Sequence, residues 1–348
     1  MVFSKMANQD KTIATPSIEQ WRILYDLAIN IKRQAPWKTL WDRDIITIIL
    51  PDADEPFYCS IMGKNEECYA IGVYLGYEGF MSYLRLASDT ENTPPFILGF
   101  EQKCLMCYYG DREEVLSEDR EIYKALDIKF RGRNEWIYFR SMDPGFYPWH
   151  INSEQADLMI KVFQQLTIVF DQISDGSIKA NFDDDDTIMR SFSQTENKWV
   201  SNVMEMPPIS MEMQYLIFSN ELLVASLKKR KKNNQQLELG LIYMPMPVKE
   251  NKNDRPYMPQ FLLMVDKKSG LIIDQHLIDL NESVENVIIG MLVHFIETYG
   301  RPAQIFVRDE LTSRYIHDFC EKIKIKLTLD YNLDTMYSVL LELLDSFN

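Results

Sequence analysis

Cysteine is scarce: five in a chain of 348, too few and too odd in number for a disulfide framework, which predicts a reducing, cytoplasmic setting. The four histidines, His150, His276, His294 and His317, stand in separate segments, and none has a second histidine at the helical spacing that grips a metal. Positive charge is short as well. Lys+Arg 37 against Asp+Glu 52 leaves a net charge of −15, whose field repels phosphate backbones and anionic lipid, so neither nucleic acid nor a membrane is an expected partner. No apolar run reaches the ~20 residues that cross a bilayer. The opening MVFSKMANQDKTIATP has no apolar h-region, so no secretory leader is expected. No G-x-S-x-G elbow, Walker loop or G-x-G-x-x-G occurs, which leaves hydrolase triads and nucleotide-binding loops without support.

What the chain does have is apolar mass. Hydrophobic residues make up 46% and aromatics 12%, enough for real cores, and at ~150 residues per domain the length predicts two domains. Ser17 followed by Gln20 is a capping-box pattern; Trp21, Leu24, Tyr25, Ala28 and Ile31 then share one helical face, and Pro36 marks the end. From Asp44 the period shortens. DIITIILP, FYCSIMG and CYAIGVYLG, separated by Pro, Asp, Gly and Asn, predict an antiparallel meander. GFMSYLRLAS returns to helical spacing, FILGFEQKCLMCYYG predicts one or two further strands, and EDREIYKALDI a short amphipathic helix. After an aromatic stretch read as ordered loop, a long helix capped by Asn152 or Ser153 carries apolar residues on both sides and is expected to be deeply buried.

Residues 176–197, with Asp183, Asp184, Asp185 and Asp186 among Ser, Thr and Asn, predict an acidic linker between an α+β domain over 15–175 and an α/β domain over 198–348. NKWVSNVMEMPP opens the second domain as a strand closed by Pro207 and Pro208, and ELLVASLKKRKKNN is a helix with a basic end. QLELGLIYMPMPV, QFLLMVD and GLIIDQHLID predict strands, the last two joined by a tight turn at Lys267, Lys268, Ser269 and Gly270. A helix carrying Val284, Ile288, Met291, Leu292 and Phe295 should stop at Gly300 and Pro302. Strand AQIFVRD, helix LTSRYIHDFCEKI, strand KIKLTLD and helix LDTMYSVLLELLDSF complete the order.

Candidate chemistry is thin. Cys104 and Cys107 form a C-x-x-C, but KCLMCYYG reads as a strand, where positions three apart point to opposite faces; buried apolar cysteines are expected. Lys228, Lys229, Arg230, Lys231 and Lys232 suit a solvated helix end facing the macrodipole. The stretch from Phe130 to His150 is the most unusual. Its arginines offer forked donors for carboxylate or phosphate and its aromatics offer flat surface, so Arg131, Arg133, Trp136, Arg140, Trp149 and His150 form a candidate surface for a protein or small ligand. The plainer role is a packed lid whose arginines pair with acids.

Three strands, a helix, then strand, helix, strand, helix is the element order of a ribonuclease H-like fold, and the C-terminal domain is expected to be a βββαβαβα domain of that kind. Such enzymes hold two divalent metals on carboxylates of the first strand, the strand after the first helix and the last helix. Asp309 and Glu342 fall at the second and third places, and Glu238 or Asp266 would supply the first. Against this, Asp309 is suited to cap the next helix and Asp266 to start a hairpin.

RGRNEWIYFRSMDPGFYPW with SEQADLM, and PWKTLWDRDIITIILPDADEPFYCSIMG, resemble an uncharacterised bacterial family whose N-terminal part is known only as a domain of unknown function. RPYMPQFLLMVDKKSGLIIDQHLI and GRPAQIFVRD are similar to a second such domain that often accompanies it, and together the matches span most of residues 17–345. The resemblance carries no activity, substrate or catalytic residue, and Ile137 follows Trp136 where proline is expected. The expectation is a non-catalytic binding or interaction protein without a cofactor. The alternative is a divalent-metal-dependent nuclease or phosphodiester-transfer enzyme, and only then would Mg or Mn be needed.

Overall fold

The computed structural model describes residues 14–88, 93–184, 186–206, 215–251, 254–279 and 282–346; most of the stretch read for a leader, Asp185, Pro207 and Pro208 lie outside them. Among these residues the chain forms two compact units, one from 14–88 and 101–206, the other from 93–100 and 215–346. No described helix is long and apolar enough to cross a membrane.

In the first unit, α1 (Ile18–Gln34) begins where the capping box places it: Ser17 Oγ accepts from the Gln20 N–H and Gln20 Oε1 accepts from the Ser17 N–H. Its buried residues are Trp21, Leu24, Tyr25, Ala28 and Ile31, the expected face. The meander follows as β1 (Ile46–Ile49), β2 (Phe57–Met62) and β3 (Ala70–Leu75), all antiparallel. Then come α2 (Gly76–Ala87), β4 (Cys104–Gly110), α4 (Ser117–Leu126), β5 (Trp136–Met142), α5 (Ser153–Ser174), β6 (Asp186–Ser193) and β7 (Lys198–Glu205), while α3 (Pro95–Gly99), between α2 and β4 in the chain, belongs to the second unit. Strand order in the seven-stranded sheet is β5-β4-β3-β2-β1-β6-β7, with β1 and β6 parallel.

Alternation along β4 sorts the core. Leu105, Cys107 and Tyr109 join the large cluster under α1 and α5, whereas Cys104 and Met106 join Tyr58, Phe80 and Tyr83 on the opposite face. The two sulfurs of the C-x-x-C therefore diverge, and burial pushes both thiols well above their ordinary value.

Three expectations need correction. FILG is not a strand: two prolines precede and open α3, as suits a helix N-terminus, and Ile97 is buried in the core of the second unit with Ile242, Leu263 and Leu340. The aromatic stretch is not loop throughout, because β5 pairs with β4 along its whole length. Residues 176–197 are not a linker either. From the last aspartate of the run they carry β6, which pairs in parallel with β1, and β7 hangs on β6, so the strand expected to open the second domain belongs to the first sheet.

The second unit contains α3 and then α6 (Glu221–Lys228), β8 (Gln236–Tyr243), β9 (Gln260–Asp266), β10 (Ile272–Ile278), α7 (Val284–Tyr299), β11 (Gln304–Val307), α8 (Glu310–Ile323), β12 (Lys326–Leu329) and α9 (Asp334–Ser346). From β8 onward this is the expected βββαβαβα order. The five-stranded sheet runs β10-β9-β8-β11-β12, with β8, β11 and β12 parallel. One face buries Leu237, Leu239 and Leu241 against α6, α7 and α8; the other presents Ile242, Leu263 and Val265 to α9. Gly300 ends α7 at φ +92°, and a Cβ there would lie 2.4 Å from the Lys231 carbonyl oxygen, which explains why the helix stops on glycine.

Candidate functional site

The arginine and aromatic residues divide into three groups. Arg131, Arg133 and Trp136 come together in a shallow open groove of about 510 Å³, lined also by Asp111, Arg112 and Glu113. The turn beneath it is fixed by Gly132 at φ +107° and Asn134 at φ +56°, and by the Asn134 N–H donating to Asp111 Oδ1 at 2.7 Å. Phe130 packs on Tyr25, Tyr123 and Trp136, anchoring the groove to the core. Arg133 keeps its side chain 90% exposed, with Nε 3.7 Å from Asp111.

Arg140 is not part of this surface. It is buried, donating from Nη1 and Nη2 to both oxygens of Asp119 at 3.0 and 2.7 Å and lying over the Tyr138 ring. Asp119 also accepts from the Leu116 N–H. Burial alone would lower the Arg140 pKa, but the hydrogen bonds and charge of Asp119 outweigh it and hold it above the ordinary value.

Trp149 and His150 form the third group. Trp149 exchanges two backbone hydrogen bonds with Ser141, near the end of β5 away from Trp136. That separation is ~17 Å along the strand, so Trp136 and Trp149 cannot share one small ligand. His150 packs against Trp149. Burial, then the charge of Arg140, lowers its pKa. The folded state thus favours neutral imidazole, and protonation from about pH 6.5 downward favours the unfolded chain. Stability should fall as pH drops from that point through the lowered folded value, and His150→Gln should flatten this part of the profile. Urea melts of both proteins between pH 7 and 5 provide the check; parallel profiles would contradict it.

The candidate acids Glu238, Asp266 and Asp309 of the second unit each engage different partners. Glu238 lies fully buried on the central strand β8 and faces α9, where Oε2 accepts from the Met336 N–H at 2.8 Å, serving as a cap on that helix from another element. Gly240, two residues on, lets α9 approach: a Cβ would lie 2.3 Å from Met336 Sδ. Glu238 Oε1 accepts from Lys267 Nζ at 2.6 Å, and Asp330 lies 3.7 Å from the same ammonium. Asp309 caps α8, accepting from the Thr312 N–H at 2.7 Å and hydroxyl at 2.9 Å. Asp266 holds the β9–β10 turn through the Ser269 N–H and hydroxyl, both at 2.8 Å. Glu342 is exposed on α9. Among the described residues no group of three His, Cys, Asp or Glu is placed to hold a metal.

Sequence reasoning missed Asp119 and Lys267. Asp119 reads locally as a first-turn acid of α4, and Lys267 as a turn residue; nothing local tells either that its partner is buried.

Residues 21–190, from α1 into β6, match the family model described as Domain of unknown function (DUF7309). Residues 223–344, from α6 to α9, match the one described as Domain of unknown function (DUF6930). The chain carries both domains. No curated protein matches it. The groove, Arg140 and Asp119 thus lie in the DUF7309 domain, and Glu238, Lys267, Asp309 and Glu342 in the DUF6930 domain.

Proposed function

We propose that this protein acts by binding a protein or small ligand, with the groove at Arg131, Arg133 and Trp136 as its contact surface, and that its DUF6930 domain does not perform metal-dependent phosphodiester chemistry. The observation that carries the second half is Lys267. A divalent cation serving Glu238 would have to sit between that buried carboxylate and Asp330, and there the chain supplies its own ammonium. The remaining acids support this reading, since Asp309 and Asp266 each hold local backbone geometry that a metal would have to disrupt. For the groove, guanidinium groups beside an aromatic floor suit a carboxylate-bearing or planar partner.

Manganese titration followed by electron paramagnetic resonance, run beside hydrolysis of a single-stranded oligonucleotide, tests the claim. No stoichiometric uptake and no hydrolysis are expected, with Asp309→Ala indistinguishable from wild type in both. One or two tightly held manganese ions per chain, with hydrolysis abolished by Glu238→Gln, would overturn it in favour of the nuclease alternative. Capture of a binding partner should weaken at least tenfold in an Arg131→Ala/Arg133→Ala protein; equal capture removes the groove as the contact surface.

A further inference from the structure

Two arginines of the first unit are buried to the same degree, each 6% exposed: Arg140 and Arg190. Arg140 is clamped by Asp119. Arg190 has no such partner among the described residues. It lies on β6 directly opposite Ser201 of β7, donating from Nε to Gln165 Oε1 at 3.2 Å and from Nη1 to Ser201 Oγ at 3.1 Å, with its guanidinium 5.8 Å from the Trp199 ring centre. Every one of these neighbours is neutral. Burial lowers its pKa, with no carboxylate among the described residues opposing the shift.

The amides around it are turned the same way. Gln165 presents its oxygen to Arg190, and Gln172 presents its oxygen to the Ser201 hydroxyl at 2.7 Å. Both Nε2 groups are left without an acceptor among the described residues, as is Arg190 Nη2. The cluster is rich in donors and poor in acceptors, around a positive charge that no described residue compensates. Gln172, Trp199 and Ser201 are only half-buried, so a ligand can approach from their side.

We propose that Arg190, with the free amide groups of Gln165 and Gln172, binds an oxyanion, the carboxylate or phosphate group of a small ligand. An anion supplies the counter-charge and the acceptors together, and a planar guanidinium presents paired donors to it. β6 and β7 form the opposite end of the sheet from β5, so this site stands or falls separately from the groove.

The test is thermal unfolding of the full chain at constant ionic strength in chloride, acetate and inorganic phosphate. Wild type should melt roughly 3 °C higher, in a saturable manner, in phosphate or in acetate; which of the two does so identifies the group. Arg190→Met should melt no lower than wild type in chloride and lose the anion shift, Gln172→Leu should lose most of it, and Arg131→Ala/Arg133→Ala should keep it. Absence of any shift in wild type, or an equal shift in Arg190→Met, would overturn the proposal. Should Arg190→Met fail to fold, the Nε–H resonance of Arg190 followed during phosphate and acetate titrations of wild type decides: movement with saturation supports the site, and a stationary signal in both rejects it.

Discussion

Asp119→Ala should cost the protein about 3–5 kcal/mol of stability, the usual penalty for stranding one member of a buried ion pair. The side chains of Arg140 and Asp119 are 7% and 4% exposed, and the guanidinium meets both carboxylate oxygens. Removing the carboxylate leaves a desolvated charge with the Phe139 carbonyl as its remaining close acceptor. The double replacement Asp119→Leu/Arg140→Met should recover most of the loss, since apolar side chains of similar volume do as well in a dry site. Arg140→Lys should not, because an ammonium cannot reproduce the fork. Urea denaturation measures all three. A single-variant loss below 1 kcal/mol would show that water reaches the pair and that the argument from burial is wrong. The same result bears on any binding test: replacing Arg140 together with Arg131 and Arg133 would damage the fold and mimic loss of a contact surface.

The second large effect is expected at Lys267→Met, about 3 kcal/mol, for the same physical reason in the other domain. Here the stranded group is Glu238, which has no exposed surface at all and would keep only the Met336 N–H. Glu238→Gln/Lys267→Met should restore stability, because the amide oxygen still caps α9 and no fully buried charge remains, Asp330 being partly exposed. In wild type, burial acts to lower the Lys267 pKa, but the hydrogen bond and charge of Glu238, aided by Asp330, raise it overall. The sign follows from linkage: this contribution is fully present below about pH 10, the ordinary lysine value, and is lost only as pH rises through the raised folded value. A wild-type protein that loses this stability near neutral pH would contradict the pairing.

Much of the architecture could be read locally. Capping at Ser17 and Asn152, the periodic faces of α1, α5 and α7, the glycine stop at Gly300 and the turn at Lys267–Gly270 all follow from residues a few positions apart. So do the helix-capping role of Asp309 and the divergence of Cys104 and Cys107. The misreadings share one cause. β6 finds its partner β1 about 140 residues earlier in the chain, and α3 buries Ile97 in a core made mostly of residues beyond 240. A window of ten residues cannot register either.

Except at α3, the sequence by itself determined where the main helices begin and end and which face of each is apolar, because those depend on backbone hydrogen bonding and periodicity within a turn or two. It also determined the acid excess that sets the long-range field. Tertiary structure alone decided which charges are neutralised. Arg140 and Asp119 lie 21 residues apart and Lys267 and Glu238 lie 29 apart, and whether such groups cancel, or like Arg190 find no counter-ion among the described residues, depends on strand order and on how closely a helix crosses a sheet.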